Sequence, residues 1–299
     1  MVDTTDSVKG IITVLGGGTM GRGIVHVALA SGFQVRLSDI SEEAVANAVA
    51  GVHKTLGRAV ERGKLSEDEC QSCHSNLQTS VDAAEAASGA DLVIEAIPES
   101  IDLKCALYAR IAPVLGAQTI LATNTSALPV TQLAEASGVA ERFVGMHFFN
   151  PPFALKLLEL IRTEHSSEDT LSRARVFAAQ LGRQLVEVRD SPGFATSRLG
   201  ITLANEAMRM VEQEVASASD IDTALRFGYG HPMGPLELTD LVGLDVRLAI
   251  TRHLYAELGT DTFQPPRILE DLVSQGRLGR KSGHGFYHWV DGKKVETAS

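Results

Sequence analysis

The sequence predicts two domains of different class, an α/β domain with a doubly wound sheet and then a smaller all-helical domain. In the first, short apolar runs alternate with amphipathic helical patterns, which is typical of a parallel sheet with helices on both faces. After the turn-forming segment 190–193, Asp-Ser-Pro-Gly, the pattern is helical. We therefore predict a boundary near 188–192, with domains over 1–190 and 191–299.

The first element is a strand over 10–15 that leads into a glycine-rich turn, Gly-Gly-Gly-Thr-Met-Gly, at 16–21. Gly16 permits the tight turn, Gly18 lets the backbone approach a pyrophosphate, and Gly21 allows the next helix to pack closely on the strand. The N-terminus of that helix offers N–H groups and a partial positive charge to phosphates. The turn predicts a dinucleotide site of the Rossmann type; the alternative is a glycine-rich turn that binds nothing.

A second strand over 33–38 ends at Asp39, which lies 18 residues after Gly21. A carboxylate here can accept hydrogen bonds from both ribose hydroxyls of NAD, and it would repel the 2′-phosphate of NADP. No arginine immediately follows Asp39 to accept that phosphate. The sequence therefore predicts NAD as the cofactor.

The later elements continue the alternation. A long helix over 41–62 has Ser41 as a plausible cap and acidic residues in its first turn. Further strands are predicted over 91–97, 119–123, 142–149, 155–161 and 183–188, with a helix over about 100–115. In the second domain we predict helices over about 194–214, 217–227, 236–257 and 266–275.

Composition argues against several classes of partner. The formal net charge of −10 disfavours general binding to nucleic acid or to anionic membranes. No N-terminal basic region precedes an apolar stretch and no run of 18 apolar residues occurs, so we expect a cytoplasmic protein outside the membrane. The pair Cys70 and Cys73, followed by His74, lacks the second cysteine pair of a structural zinc site, and we predict no metal.

Three segments of the first domain carry side chains suited to chemistry. The polar segment 122–126 follows a strand, where doubly wound sheets bind ligands; it could equally be a turn that satisfies its own backbone. His147 lies in an apolar strand end, so it is either a general base or a core histidine. Glu159 interrupts another apolar run, and a buried carboxylate needs a partner. Together the segments predict an NAD site in which Glu159 orients His147.

A basic stripe lies on the predicted helix 41–62. Lys54, Arg58 and Arg62 recur every four residues, and Lys64 follows them. The stripe could bind phosphates of a large anionic substrate, or it could be an ordinary solvated helix face.

Motifs along nearly the whole chain resemble one family. They are Gly-Gly-Gly-Thr-Met-Gly at 16–21, Val-Ile-Glu-Ala at 93–96, Asn-Thr-Ser at 124–126, Met-His-Phe-Phe-Asn-Pro at 146–151, Pro-Gly-Phe at 192–194, His-Pro-Met-Gly-Pro at 231–235, and Gly-Arg-Lys-Ser-Gly-His-Gly-Phe-Tyr at 279–287. The sequence resembles the L-3-hydroxyacyl-CoA dehydrogenase family, and within it the stand-alone 3-hydroxybutyryl-CoA dehydrogenases.

The resemblance implies reversible, NAD-dependent oxidation of a short-chain (S)-3-hydroxyacyl-CoA. His147 would be the base that removes the hydroxyl proton, Glu159 would orient it, and Ser126 would hydrogen-bond near the reacting oxygen. Residues implied to contact NAD are Gly16, Gly18, Met20, Gly21, Asp39, Glu99, Lys104, Asn150 and Lys281. Residues implied to contact the acyl-CoA are Ser126, Ser197, Lys54, Arg58 and Lys64. The helical domain would close the acyl site and form a homodimer.

One position departs from the family pattern. The family commonly has Asn five residues after Pro192, where it helps to clamp the substrate carbonyl, and this chain has Ser197. Serine can still donate a hydrogen bond but is shorter, so a water could bridge the gap, or Thr196 or Asn205 could substitute. The competing functions are a dehydrogenase of free hydroxy acids on the same scaffold and a catalytically silent NAD-binding protein.

Overall fold

A computed structural model of the chain describes residues 9–295, so the extreme ends of the predicted domains, 1–8 and 296–299, lie outside the described residues. The chain divides into two compact units, an N-terminal unit that ends at Ser191 and a C-terminal unit that begins at Pro192.

The N-terminal unit is built on one sheet, which has eight strands within residues 9–295. The strands are β1 Lys9–Leu15, β2 Phe33–Ser38, β3 Leu77–Ser80, β4 Leu92–Glu95, β5 Ile120–Thr123, β6 Phe143–Phe148, β7 Leu157–Arg162 and β8 Gln184–Arg189. Their order across the sheet is β3-β2-β1-β4-β5-β6-β7-β8. Every residue of β4, β5 and β6 is buried, which explains why these strands read as nearly continuous apolar runs. The predicted doubly wound α/β fold is confirmed.

Helices connect most of these strands. They are α1 Thr19–Ala30, α2 Glu42–Glu61, α3 Glu67–Ser75, α4 Ala83–Ala87, α5 Ile101–Ile111, α6 Val130–Ala136 and α7 Glu168–Gln180. The side chain of Ser41 accepts a hydrogen bond from the Ala44 N–H, as expected of the cap of α2. Ser66 and Glu69 form a reciprocal capping box that starts α3, the helix that carries Cys70 and Cys73. Within residues 9–295 no cluster of three or more histidine, cysteine or acidic side chains could hold a metal ion.

One strand runs against the expected direction. We predicted a parallel sheet, but β7 is antiparallel to β6. A parallel neighbour needs a crossover of roughly a dozen residues or more, and only the eight residues 149–156 separate these two strands. The reversal has a chemical consequence, because it places Glu159 directly opposite His147 in the strand register.

The C-terminal unit is smaller and mainly helical. Its helices are α8 Thr196–Glu212, α9 Ala218–Gly228, α10 Pro235–Val242, α11 Leu244–Leu258 and α12 Arg267–Ser274. The single helix predicted over 236–257 is broken at Gly243, whose φ of +105° lies outside the helical region. None of the helices in the described part of the chain has the length and apolarity to cross a membrane.

The C-terminal unit is not entirely helical, because β9 His288–Val290 and β10 Lys293–Val295 form an antiparallel hairpin. The two turn residues are Asp291 and Gly292, with φ of 50° and 73°, as a two-residue hairpin turn with the favoured twist requires. Asp-Gly between two short runs is the sequence signal that the helical prediction overlooked.

Asp240 anchors the chain segment that precedes this hairpin. Its buried carboxylate accepts hydrogen bonds from the backbone N–H groups of Phe286 and Tyr287 and from Nε1 of Trp289. Burial raises the pKa of Asp240. A Cβ atom on Gly285 would lie 2.2 Å from Oδ1 of Asp240, so the carboxylate can approach only because residue 285 has no side chain. Part of the motif at 279–287 is therefore explained by packing.

Candidate active site

The nucleotide turn is shaped by close backbone contacts. Gly16 has a φ of +103°, and its N–H donates to the carbonyl of Ser38 at 2.8 Å. A Cβ atom on Gly21 would lie 1.8 Å from the Gly16 carbonyl oxygen, so no side chain fits there. At Gly18 an added Cβ would meet nothing within 4 Å. The open side of the turn therefore faces free space at the start of α1, where no side chain caps the helix, as a bound pyrophosphate requires.

Asp39 is held in one orientation. Its Oδ2 accepts a hydrogen bond from the Gly17 N–H at 2.7 Å, and its Oδ1 accepts one from the Ile40 N–H at 2.7 Å. The carboxylate lies at the wall of a groove of about 710 Å³. The groove is lined by Gly16, Gly18, Thr19, Met20, Asp39, Ile40, Ala96, Ile97, Pro98, Leu103, Ala106, Leu107 and Arg110. Apolar walls, a phosphate turn and a fixed carboxylate fit the adenosine half of a dinucleotide.

His147 and Glu159 form a buried pair across β6 and β7. Nδ1 of His147 lies 2.8 Å from Oε2 of Glu159, and the residues are 5% and 0% exposed. Because the carboxylate can only accept, Nδ1 carries the proton whenever the imidazole is neutral. Nε2 then presents its lone pair on the other side of the ring, as a general base needs.

Ser126 lies on that other side. Its Oγ is 3.1 Å from Nε2 of His147. The loop that carries it, after β5, is fixed by Glu99, whose Oε1 accepts hydrogen bonds from the hydroxyl of Thr125 and from the Ser126 N–H. The loop is also tied to β6, since Oδ1 of Asn124 accepts from the Phe148 N–H at 2.9 Å. The polar segment 122–126 therefore belongs to the same constellation as His147.

A buried network lies behind this loop. Lys104 on α5 and Glu95 at the end of β4 are both fully buried, with Nζ 2.6 Å from Oε1. Oε2 of Glu95 also accepts from the hydroxyl groups of Tyr108 at 2.6 Å and Thr123 at 2.8 Å. Burial, followed by the charge of Glu95, raises the pKa of Tyr108 well above its usual value. Nζ of Lys104 also lies 3.6 Å from Oε2 of Glu99, which links the network to the Ser126 loop.

The sequence missed this network, although a signal was present. Glu95 ends an apolar, fully buried strand, and Glu159 lies in the buried middle of another strand. The argument that a buried carboxylate needs a partner applied equally to both.

The other residues expected at the NAD site fall in different surroundings. Lys104 has no exposed surface, so its ammonium meets Glu95 and Glu99 rather than the groove. Asn150 is exposed, two residues after β6 ends. Lys281 belongs to the C-terminal unit, where its Nζ is 2.6 Å from Oδ2 of Asp245. Their contacts with NAD stay predictions.

Ser197 lies half-buried in the first turn of α8, in the C-terminal unit. Asn205, considered above as a substitute for the missing asparagine, is fully buried, and its Nδ2 donates to the carbonyl of Thr262 at 3.2 Å. The amide NH2 of Asn205 is therefore already used within the C-terminal unit, whereas its Oδ1 has no hydrogen-bond partner in the described part of the chain.

The structure gathers part of the basic stripe at a second groove, of about 260 Å³. Arg58, Arg62 and Lys64 line this groove, and Lys54 is exposed outside it. The remaining lining residues are His26, Ala30, Thr55, Ala59, Leu65 and Phe153. Burial of the ring, followed by the charge of Lys64, lowers the pKa of His26 to about 4. A groove lined by three cations and several apolar residues suits a ligand that carries an anionic group on a flat or apolar moiety.

Comparison with known proteins matches both units to one family. The family model for the 3-hydroxyacyl-CoA dehydrogenase NAD binding domain matches residues 11–191, and the model for the C-terminal domain of the same family matches residues 193–289.

Individual relatives extend along most of the chain. The probable 3-hydroxybutyryl-CoA dehydrogenase of Bacillus subtilis is 40% identical over 94% of this chain and 97% of that protein. The 3-hydroxyadipyl-CoA dehydrogenase of Escherichia coli is 41% identical over 93% of this chain, which spans only 58% of that protein.

A solved structure gives the same result. The crystal structure of (S)-3-hydroxybutyryl-CoA dehydrogenase from Ralstonia eutropha superposes with a TM-score of 0.90 and 36% identity, over 95% of this chain and 100% of that one. The chain belongs to the NAD-dependent 3-hydroxyacyl-CoA dehydrogenase family and contains both its NAD-binding and its C-terminal domain.

Proposed function

We propose that the chain oxidises a short-chain (S)-3-hydroxyacyl-CoA to the 3-oxoacyl-CoA, reversibly, with His147 as the base. The observation that carries the proposal is the alignment of Glu159, His147 and Ser126, with gaps of 2.8 Å and 3.1 Å between successive polar atoms. Bound NAD supplies the acceptor for the hydride that leaves C3.

In this mechanism His147 takes the proton of the substrate hydroxyl through Nε2 while C3 loses its hydride. Glu159 accepts the hydrogen bond from Nδ1–H and stabilises the positive charge that forms on the ring. Ser126 hydrogen-bonds to the reacting oxygen and holds it near Nε2 of His147. This role is supported by the hydroxyl of Ser126, which lies within hydrogen-bond distance of Nε2. In the reverse direction the protonated His147 returns the proton to the carbonyl oxygen.

The groove beside α2 supports CoA as the carrier of the acyl group. Arg58 and Lys64 were predicted to bind its phosphates, and both line the groove together with Arg62. The protein as a whole is acidic, with a net charge of −10, so these cations form a local exception that suits a phosphorylated substrate. Lys54 lies outside the groove and could meet only a more exposed part of such a substrate.

The names of the relatives suggest two acyl groups. One name specifies 3-hydroxybutyryl-CoA and another 3-hydroxyadipyl-CoA. Both acyl chains are short, but the adipyl chain is two carbons longer and ends in a carboxylate instead of a methyl group. We propose a substrate of this size, placed by Ser126 and, in the C-terminal unit, by Ser197.

The test is NADH consumption with acetoacetyl-CoA, measured beside free acetoacetate and beside NADPH. We expect rapid turnover only with the thioester and NADH. Turnover of the free acid would instead indicate the hydroxy-acid dehydrogenase, and tight NADH binding without turnover would indicate the silent binder.

The role of the basic groove has a test of its own. Arg58→Met should raise KM for the thioester and leave KM for NADH unchanged. The control is Arg226→Met, which removes an exposed arginine.

Two expectations stay predictions. We propose a homodimer formed through the C-terminal unit, in which Phe227 and Tyr229 are 80% and 81% exposed at the end of α9. Sedimentation of the wild type and of Phe227→Asp would test it. A cytoplasmic location is proposed as well, and cell fractionation would check it.

A further inference from the structure

Thr125 lies directly before Ser126 in the loop that follows β5, and its side chain is fully buried. Its hydroxyl donates a hydrogen bond to Oε1 of Glu99, because a carboxylate can only accept. Its Oγ1 also accepts from the backbone N–H groups of Ala127 at 3.3 Å and Leu128 at 2.9 Å. A hydroxyl group has one donor and two acceptor sites, so the hydroxyl of Thr125 has none left for a substrate or for NAD.

These three hydrogen bonds surround the residue to which the proposed function assigns the reacting oxygen. The two bonds from the backbone close a turn around Ser126. Glu99 holds the same turn from its other side, since its Oε1 also accepts from the N–H groups of Ser126 at 3.0 Å and Ala127 at 3.3 Å. The turn leaves Oγ of Ser126 3.1 Å from Nε2 of His147. The position of one hydroxyl therefore depends on the hydroxyl that precedes it in the chain.

Asn124 ties the start of this loop to β6 independently. Its Oδ1 accepts from the N–H of Phe148, the residue that follows His147, at 2.9 Å. This contact does not involve the hydroxyl of Thr125. A substitution at Thr125 should therefore change the turn without detaching the loop from the strand that carries His147.

We propose that Thr125 is a positioning residue for the reaction: its buried hydroxyl, held by Glu99, places the hydroxyl of Ser126 beside the reacting oxygen. This inference rests on the proposed function, in which Ser126 holds that oxygen near His147. A small displacement is enough to matter, because hydrogen bonds weaken steeply as their geometry departs from linearity. Misplacement of a reacting group by about 1 Å can cost about 10²-fold in rate.

Thr163 provides a matched control, because its hydroxyl has the same hydrogen-bond pattern elsewhere. It is 4% exposed, and its Oγ1 accepts from the N–H groups of His165 at 3.2 Å and Ser166 at 3.0 Å. These donors lie two and three residues later, as they do for Thr125. Because β7 is antiparallel to β6, Thr163 at the end of β7 lies at the opposite edge of the sheet from the Ser126 loop.

The test is a double-mutant cycle on kcat for the reduction of acetoacetyl-CoA by NADH. Thr125→Val keeps the shape of the side chain and should lower kcat about 10-fold or more. Thr125→Ser keeps the hydroxyl and should recover most of that loss. In a Ser126→Ala background, Thr125→Val should change kcat less than about threefold, since no hydroxyl is left to position. Thr163→Val should change kcat less than about twofold, and KM for NADH should stay within about threefold in every variant.

Wild-type kcat in Thr125→Val, or the same loss again in the Ser126→Ala background, would overturn the inference, since Thr125 would not act through Ser126. A loss in Thr125→Ser as large as in Thr125→Val would also overturn it, because the methyl group would then be responsible. If Thr125→Val does not fold, Glu99→Leu takes its place in the cycle with the same expectations, since the Glu99 side chain is 41% exposed. A wild type that does not turn over acetoacetyl-CoA would overturn the proposed function and this inference with it, whereas the other outcomes overturn the inference alone.

Discussion

Glu159 stands directly opposite His147 in the antiparallel β6–β7 pair, and its carboxylate lies 2.8 Å from Nδ1 of the imidazole. Residues that face each other in an antiparallel ladder share one side of the sheet, with Cβ atoms about 4.5–5.5 Å apart. The strand register alone therefore brings the two side chains together, and no loop is needed to position them. Both side chains are held in a buried strand, which limits the ways in which the imidazole can turn.

This relationship predicts the effect of Glu159→Gln. The amide cannot stabilise the charged imidazolium, and it can favour the wrong tautomer of His147, so we expect kcat to fall about 10²- to 10⁴-fold. His147→Gln should lower kcat by several orders of magnitude, and NAD affinity should change less than about threefold in both variants. Steady-state kinetics and NADH titration measure these values. Glu187→Gln on neighbouring β8, an exposed partner of arginines, is the control.

The buried ion pair between Lys104 and Glu95 predicts a large loss of stability on single substitution. Lys104→Met keeps much of the side-chain volume but leaves the Glu95 carboxylate buried without its cation, which should reduce the free energy of unfolding by about 3–5 kcal/mol. The double variant with Glu95→Gln should recover most of this loss, because no charge is then left uncompensated. Urea denaturation of the wild type, the two single variants and the double variant measures the coupling energy between the two residues. If the losses in the free energy of unfolding are additive, the pair is not coupled.

Asp39 predicts cofactor choice. Both of its carboxylate oxygens are fixed by backbone N–H groups at 2.7 Å, so the charge is held at the wall of the nucleotide groove. Asp39→Asn keeps the shape of the side chain and one acceptor oxygen, but it removes the charge and replaces the second acceptor oxygen with an NH2 group that cannot accept from a backbone N–H. We expect KM for NAD to rise about 10-fold or more and the preference over NADP to narrow by about 10- to 100-fold. Unchanged discrimination between the cofactors would exclude Asp39 as its determinant.

The sequence predicted the elements better than their directions. The glycine turn, the acidic end of β2 and the cap of α2 act through residues near in sequence, so their patterns were readable. The reversal of β7 depends on the length of the 149–156 connection, and the hairpin depends on the turn at Asp291 and Gly292. Local patterns do not show which strand will be the neighbour of another.

Of the residues at the candidate site, the sequence likewise predicted some and missed others. His147, Glu159 and Ser126 were found because polar residues in apolar strands or at strand ends are unusual. The partners of Glu95 were missed, since Lys104 lies on α5 and resembles any surface lysine in a helical pattern. Its burial arises from packing across elements, which no single segment of sequence reports.

His26 predicts how stability depends on pH. The ring is 7% exposed, and its Nδ1 lies 2.9 Å from Oγ1 of Thr55. Burial, then the charge of Lys64, lowers the pKa of His26 from 6.5 to about 4. Above pH 6.5 the ring is neutral in the folded and unfolded chain, and this contribution to stability is fully present. As the pH falls toward 4 the unfolded chain takes up a proton that the folded chain does not, so stability is lost.

The expected loss is about 1.4 kcal/mol per pH unit across this window, or about 2 kcal/mol at about pH 5. Urea denaturation at about pH 7.5 and about pH 5 would measure it in the wild type and in His26→Gln, which cannot protonate and should lose correspondingly less stability on acidification. His165→Gln, which removes an exposed histidine of the same unit, should retain the wild-type dependence. Equal acid sensitivity in His26→Gln and the wild type would assign the loss to other groups, and the neutral state of His26 at the basic groove would lose its support.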